Sequence, residues 1–146
     1  MHNIQKLLKS DIPIWVNVLQ VLLTLIMLGQ VYMYFFDHDL LAATGVTVNG
    51  TPDLNLVYEM GGRTLTMAAA SIFVMITQNA RQFLVVLFMN ILREGTETII
   101  DPLFPIANAP ASPAMDFGMH VVVVAIEILA CIMVWKRLKK SSQTGN

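Results

Sequence analysis

The sequence predicts an all-α integral membrane four-helix bundle with both termini cytoplasmic and two long outward loops. Three observations carry that reading. The composition is 55% hydrophobic and only 13% charged, with a mean hydropathy of +0.63, whereas soluble domains are about a quarter charged. Four apolar segments alternate with polar connections at spacings suited to spanning helices. Finally, Lys and Arg are distributed asymmetrically among those connections. The 146 residues read as a single transmembrane domain, with helices at about 14–36, 58–78, 83–100 and 117–135.

Met1–Asp11 is a polar head with Lys6 and Lys9, and Pro13 stands where a helix can begin. Ile14–Phe36 carries no charge. Its length corresponds to roughly 34 Å of helix, enough to cross a bilayer with some tilt. A cleavable signal peptide has an apolar region of only about 7–15 residues, so this helix is expected to be retained. Asn17, Gln20 and Gln30 are its polar residues, and Tyr32 and Tyr34 are interfacial anchors. The following loop, Asp37–Tyr58, contains an Asn49-Gly50 turn signal inside the alternating Val46–Thr51, which predicts a small hairpin.

The second helix has the small-residue core Ala68-Ala69-Ala70-Ser71, which allows close helix approach. Its polar-to-small stripe is Glu59, Arg63, Thr66 and Ala70. Asn79–Gln82 reads as a tight turn leading to the third helix from Phe83. The second long loop, Asp101–Ala114, holds Pro102, Pro105, Pro110 and Pro113 and is expected to be stiff and non-helical. Asp116 is the expected cap of the fourth helix, which ends in Lys136-Arg137-Leu138-Lys139-Lys140 before the polar tail Ser141–Asn146.

Topology follows from the basic residues. Lys6, Lys9, Arg81, Lys136, Arg137, Lys139 and Lys140 lie on one side, and only Arg63 and Arg93 on the other. The positive-inside rule then places both termini in the cytoplasm, with the protein in the cell inner (plasma) membrane.

The third helix is the unusual one, because Asn90, Glu94, Glu97 and Asp101 are spaced by four, three and four and share a face. Charges at membrane depth are costly unless they face protein, a partner or water. Helical rise from the cytoplasmic ends puts Gln20, Asn90 and Glu127 at roughly 10–12 Å, Glu94 and Thr66 at roughly 18 Å, and Arg63, Glu97 and His120 at roughly 22 Å. The polar stripes of the last three helices therefore meet in an outward-opening cavity floored by Asn90 and Glu127 and roofed by the proline-rich loop. Arg63 is expected to pair with Glu97 or Glu94, an arrangement that also serves simply to fix helix register. Glu127 has no basic residue at its level. It is expected to be neutral and hydrogen-bonded to Asn90 or Gln20.

Such a cavity suits a lipophilic small molecule processed by acid–base chemistry: isomerisation, cyclisation or epoxide opening. Glu127 or His120 would act as acid and Glu94 or Glu97 as base. Arg63 would be the positioning charge, with Glu59, Asn90 and Gln20 completing the binding surface. The competing reading is a non-catalytic subunit, whose polar stripes are satisfied by a membrane-complex partner or a second copy. A proton-coupled transporter is a third reading.

No cofactor is expected. Cys131 is the only cysteine, which excludes disulfide and cysteine-cluster chemistry within one chain. Glu94-x-x-Glu97 with His120 can ligate a cation, but the Glu-x-x-His pairs of di-iron bundles are absent and no metal is assigned. Neither a basic patch with interleaved aromatics nor a glycine-rich phosphate loop occurs, which argues against nucleic acid and nucleotide partners.

Glu59-Met60-Gly61-Gly62-Arg63, the Arg81 turn and the Arg93…Asp101 exit of the third helix resemble the small DoxX-like four-helix membrane proteins. The likeness covers residues 55–101. It implies a four-helix bundle with both ends cytoplasmic and says almost nothing about chemistry.

Overall fold

The computed structural model describes residues 12–106 and 109–144, with side chains up to Lys140. Lys6, Lys9 and the end of the polar tail lie outside the described residues. The described residues form helices and their connections, with no strand among them. The elements are α1 (Ile14–Phe35), α2 (His38–Ala43), α3 (Thr51–Thr77), α4 (Ala80–Leu103) and α5 (Pro113–Thr144).

Three helices, α1, α3 and the Pro113–Lys140 part of α5, are long and apolar enough to cross a membrane. In their most apolar 18-residue stretches only 33%, 28% and 17% of residues are buried. Apolar surface therefore faces outward on all three, as it does when lipid rather than water is the solvent. The remaining long helix, α4, differs for a simple reason. Any 18-residue window within Ala80–Leu103 contains Arg93, Glu94 and Glu97.

The helix ends are set locally. Pro13 precedes α1 with φ −59°, the value its ring imposes. Gln78 closes α3 in the left-handed region at φ 51°. Its side-chain amide donates to the Met75 carbonyl (2.7 Å) and to Asn17 Oδ1 on α1 (2.9 Å). Asn79 then caps α4, its Oδ1 accepting from the backbone N–H of Arg81 and Gln82. The expected turn over Asn79–Gln82 is thus shorter, because one capping side chain starts the next helix at Ala80.

Several expected boundaries are corrected. Val46–Thr51 forms no hairpin. Gly50, at φ 106°, opens α3 instead, and Asp53 in the first turn accepts from the Asn49 backbone N–H at 2.9 Å. The Asn-Gly signal therefore reads as a helix start. The first loop also contains α2, capped by Asp37, whose carboxylate accepts from the Leu40 N–H at 2.9 Å. Asp116 is not the cap of the last helix. Pro113 occupies its first position, where proline fits without loss, and the Ser112 hydroxyl accepts from the Met115 N–H. Asp116 is left in the first turn with its side chain free for another role. At the other boundary, α4 runs through Pro102 to Leu103.

Packing is tightest between α4 and α5 and between α1 and α3, with a smaller contact joining α3 to α4. The apolar core lies toward one end, where Ile12, Val16, Val74, Ala80, Phe83, Val86, Leu87, Ala130 and Val134 converge from all four long helices. At the other end the helices stand further apart. There α1 and α3 touch at the stacked rings of Phe35 and Tyr58, 5.5 Å apart, and at Gly61, where an added Cβ would lie 2.7 Å from the Phe35 ring and 3.0 Å from Tyr34 Cβ.

Gly61→Val should therefore lower the melting temperature of the detergent-solubilised protein by the several degrees that about 1–3 kcal/mol of overpacking produces. Gly62→Ala, where nothing lies within 4 Å, should leave it unchanged or raised. Equal effects at the two positions would contradict the close approach of α1 and α3.

Candidate functional site

The polar face of α4 meets α5 at His120. Glu94 is buried and its two oxygens take different partners: Oε1 accepts from Arg93 Nη2, and Oε2 lies 2.9 Å from His120 Nδ1. On the other side of the ring, His120 Nε2 lies 3.3 Å from Asp101 Oδ2 and 3.9 Å from Asp116 Oδ1. Glu97 stands 4.0 Å from both Arg93 Nε and His120 Nδ1. Spacing explains the convergence. Glu94, Glu97 and Asp101 fall on one stripe of α4 through steps of three and four, and Asp116 lies one turn before His120 on α5.

Each ring nitrogen of His120 faces a carboxylate. A doubly protonated ring serves both as a donor, whereas the neutral ring serves only one and turns a lone pair toward the other. Gaining or losing one proton therefore changes the link between α4 and α5 directly. Two groupings have ligand-atom spacings that can hold a metal ion, Glu94 with Glu97 and His120, and Asp101 with Asp116 and His120. Arg93 already bonds the first grouping, and each needs the same imidazole.

Two cavities adjoin the cluster. One, of about 400 Å³, is walled by Asp101, Asp116 and His120 on one side and by Leu41, Met33, Met119, Ile106, Pro105 and Pro110 among apolar neighbours. The second, of about 330 Å³, is lined by Arg63, Thr64, Met67, Arg93 and Glu97. Gln30, Tyr34 and Met60 border both. Their volumes suit a small ligand. Glu94, at 8% side-chain exposure, lies between His120 on one cavity and Arg93 and Glu97 on the other.

The expected site residues separate into three groups. Glu94, Glu97 and His120 are brought together. Glu127 and Asn90 are buried deeper, at 0% and 2% exposure. The expected hydrogen bond from Glu127 to Asn90 or Gln20 is not formed. Both Glu127 oxygens and both Asn90 side-chain atoms are unpartnered, while Gln20 donates to Ser71 Oγ at 2.8 Å.

The third group carries the main correction. Arg63 pairs with neither Glu97 nor Glu94. Its Nη2 lies 3.2 Å from Glu59 Oε2 on the same helix, with the two side chains 79% and 52% exposed. An i,i+4 partner on its own helix was nearer than any across the gap between α3 and α4. Arg93 takes the place expected for Arg63, since it is adjacent to Glu94 and four residues before Glu97. Equal depth had placed Arg63 with the acids, but depth says nothing about rotation around the helix axis.

Arg93, Asp101, Asp116, Gln30 and Tyr34 join the site without a role expected from the sequence. For Asp101 the signal was available in the four-residue step from Glu97. For Gln30 it was a lone amide in an apolar helix. Comparison of the chain with protein-family models, curated proteins and solved structures finds no match.

Two arginine variants should now behave differently. Arg93→Ala leaves Glu94 buried without its cation and should destabilise the protein by about 3 kcal/mol, the lower end for a broken buried pair. Arg63→Ala removes an exposed pair and should cost less than about 1 kcal/mol. Thermal unfolding of both variants in one detergent checks the order. The reverse order would restore Arg63 as the partner of the acidic stripe.

Proposed function

We propose that this chain is an integral membrane four-helix bundle, with both termini on the cytoplasmic side and both long loops outward, in the plasma membrane. We further propose that it binds a lipophilic small molecule at its outer end and processes it by proton transfer. The observation that carries the reading is His120, held between Glu94 and Asp101 at the wall of a largely apolar cavity. An apolar cavity binds by hydrophobic contact, and a single polar wall orients what enters. His120 gives or takes a proton at that wall. Glu97, 41% exposed on the adjoining cavity, is the complementary group, and Glu94 links the two through Arg93 and His120. General acid and base are thus placed on two sides of space bordered by Tyr34 and Gln30, the arrangement that isomerisation or ring opening needs. Arg93 supplies the positioning charge that Arg63 had been expected to supply. The bundle and its orientation are supported by the apolar helices and by the Lys/Arg asymmetry of the sequence.

The test uses the full chain purified in mild detergent. Solvent extraction followed by mass spectrometry should recover a small amphipathic molecule from the wild type and much less from His120→Ala. Returned to the protein in D₂O, that molecule should gain deuterium at carbon, and Glu94→Gln should abolish the exchange. Purification only as a complex with other polypeptides, without any small molecule, would contradict this reading and support the accessory-subunit alternative.

Orientation has its own check. A reporter that folds only outside the cytoplasm, fused after Asn146, should be inactive. Activity there would invert the proposed topology and place the cavities on the inner face.

A further inference from the structure

Below the His120 cluster lies a second polar feature that the proposed chemistry does not use. Each of the four long helices contributes one residue: Gln20, Ser71, Asn90 and Glu127, at 0%, 0%, 2% and 0% exposure. Each stands one turn beyond a member of the apolar core on its own helix. Gln20 follows Val16 by four, Asn90 follows Val86 by four, and Ser71 and Glu127 precede Val74 and Ala130 by three. Residues three or four apart share a helix face. The four side chains are therefore directed to the same axis as the core, one turn beyond it.

The composition of this layer is lopsided. The Gln20 amide donates to Ser71 Oγ at 2.8 Å. The atoms left without partners are Gln20 Oε1, Asn90 Oδ1, both Glu127 oxygens and Asn90 Nδ2, four oxygens against one nitrogen. Buried polar atoms are seldom left unsatisfied, and each such group costs about 1–3 kcal/mol. No bonded basic side chain neutralises Glu127 among the described residues. Arg93, the nearest cation on α4, is committed to Glu94 and lies beside Glu97, while α1 and α3 bring the uncharged Gln20 and Ser71 to this level.

Amide and carboxylate oxygens without partners are the ligands a hard cation takes. A monovalent ion leaves the layer neutral, whereas a divalent one would add positive charge close to Arg93. Gln20, Ser71, Asn90 and Glu127 line neither of the two cavities described above. We propose that Gln20, Asn90 and Glu127 form a buried Na⁺ site in which a proton on Glu127 competes with the ion. The proposal does not depend on the identity of any ligand at His120.

Dicyclohexylcarbodiimide, which attaches to protonated carboxyls in apolar surroundings, tests this on the detergent-purified full chain. Peptide mass spectrometry should find the adduct on Glu127 in choline chloride. Na⁺ at about ten times its Kd should slow labelling about tenfold by mass action, and equal K⁺ should not. Asn90→Ala should still label but lose the protection by Na⁺, and Gln20→Leu should weaken it. These two variants keep the test open even if Glu127→Gln, which should not label, fails to fold. Labelling of Glu127 at the same rate in Na⁺, K⁺ and choline would show a layer holding only water and overturn the site. Absence of any adduct on Glu127 would overturn it equally.

Discussion

The contact between Glu94 and His120 is the interaction on which the cavity-bearing end of the molecule depends. A helix carrying Arg93, Glu94 and Glu97 within two turns is ill-suited to lipid, where each charge costs about 2.5–3.5 kcal/mol at the centre of a spanning helix. Arg93 bonds one oxygen of Glu94, and His120 meets the other. The second bond comes from a different helix, so neutralising α4 requires α5 alongside in a defined register. That register also brings Asp116 to the ring, and Asp101 closes it from α4. The extensive packing between α4 and α5 is what this demand produces.

Seen along its length, the molecule changes its means of cohesion. At one end, apolar side chains from four helices interlock, and Gln78 ties α3 to α1 through Asn17. One turn further come the buried polar side chains of Gln20, Ser71, Asn90 and Glu127, and then the ion-paired cluster. Beyond it the helices separate, leaving two cavities that share Tyr34 and Gln30. The apolar end thus holds the four long helices together, and the polar-walled cavities lie at the opposite end. Most of the lateral surface is left to lipid, as the outward apolar faces of α1, α3 and α5 indicate.

How much of this was legible in the sequence depends on the physical basis of each inference. Periodicity and apolar length exposed the long helices, because a spanning segment must satisfy its own backbone and cannot be short. The stripe Asn90, Glu94, Glu97 followed from spacing, and depth brought His120 to the level of Glu97, while the bond from His120 to Glu94 was not expected. Depth alone misplaced Arg63, since the same height is compatible with any rotation about the helix axis, and Glu59 was within reach on its own helix. Capping was misjudged at Asp116 because Ser112-Pro113 is the stronger helix start. Gly50 was misread because a glycine at positive φ serves a helix start as readily as a hairpin turn. The unpartnered state of Asn90 and Glu127 could not be read from sequence at all, since it depends on rotamers in a layer assembled from four helices.

The most direct test of the central contact is a double-mutant cycle of Glu94→Gln and His120→Gln, measured by thermal unfolding in a fixed detergent. The account predicts that the two losses are not additive. The double variant should be less destabilised than the sum of the single variants, with a coupling of about 0.5–3 kcal/mol as for residues in direct contact. Strict additivity would contradict the account, because it would mean that α4 and α5 are held together without this bond and that the site at His120 is not built on it.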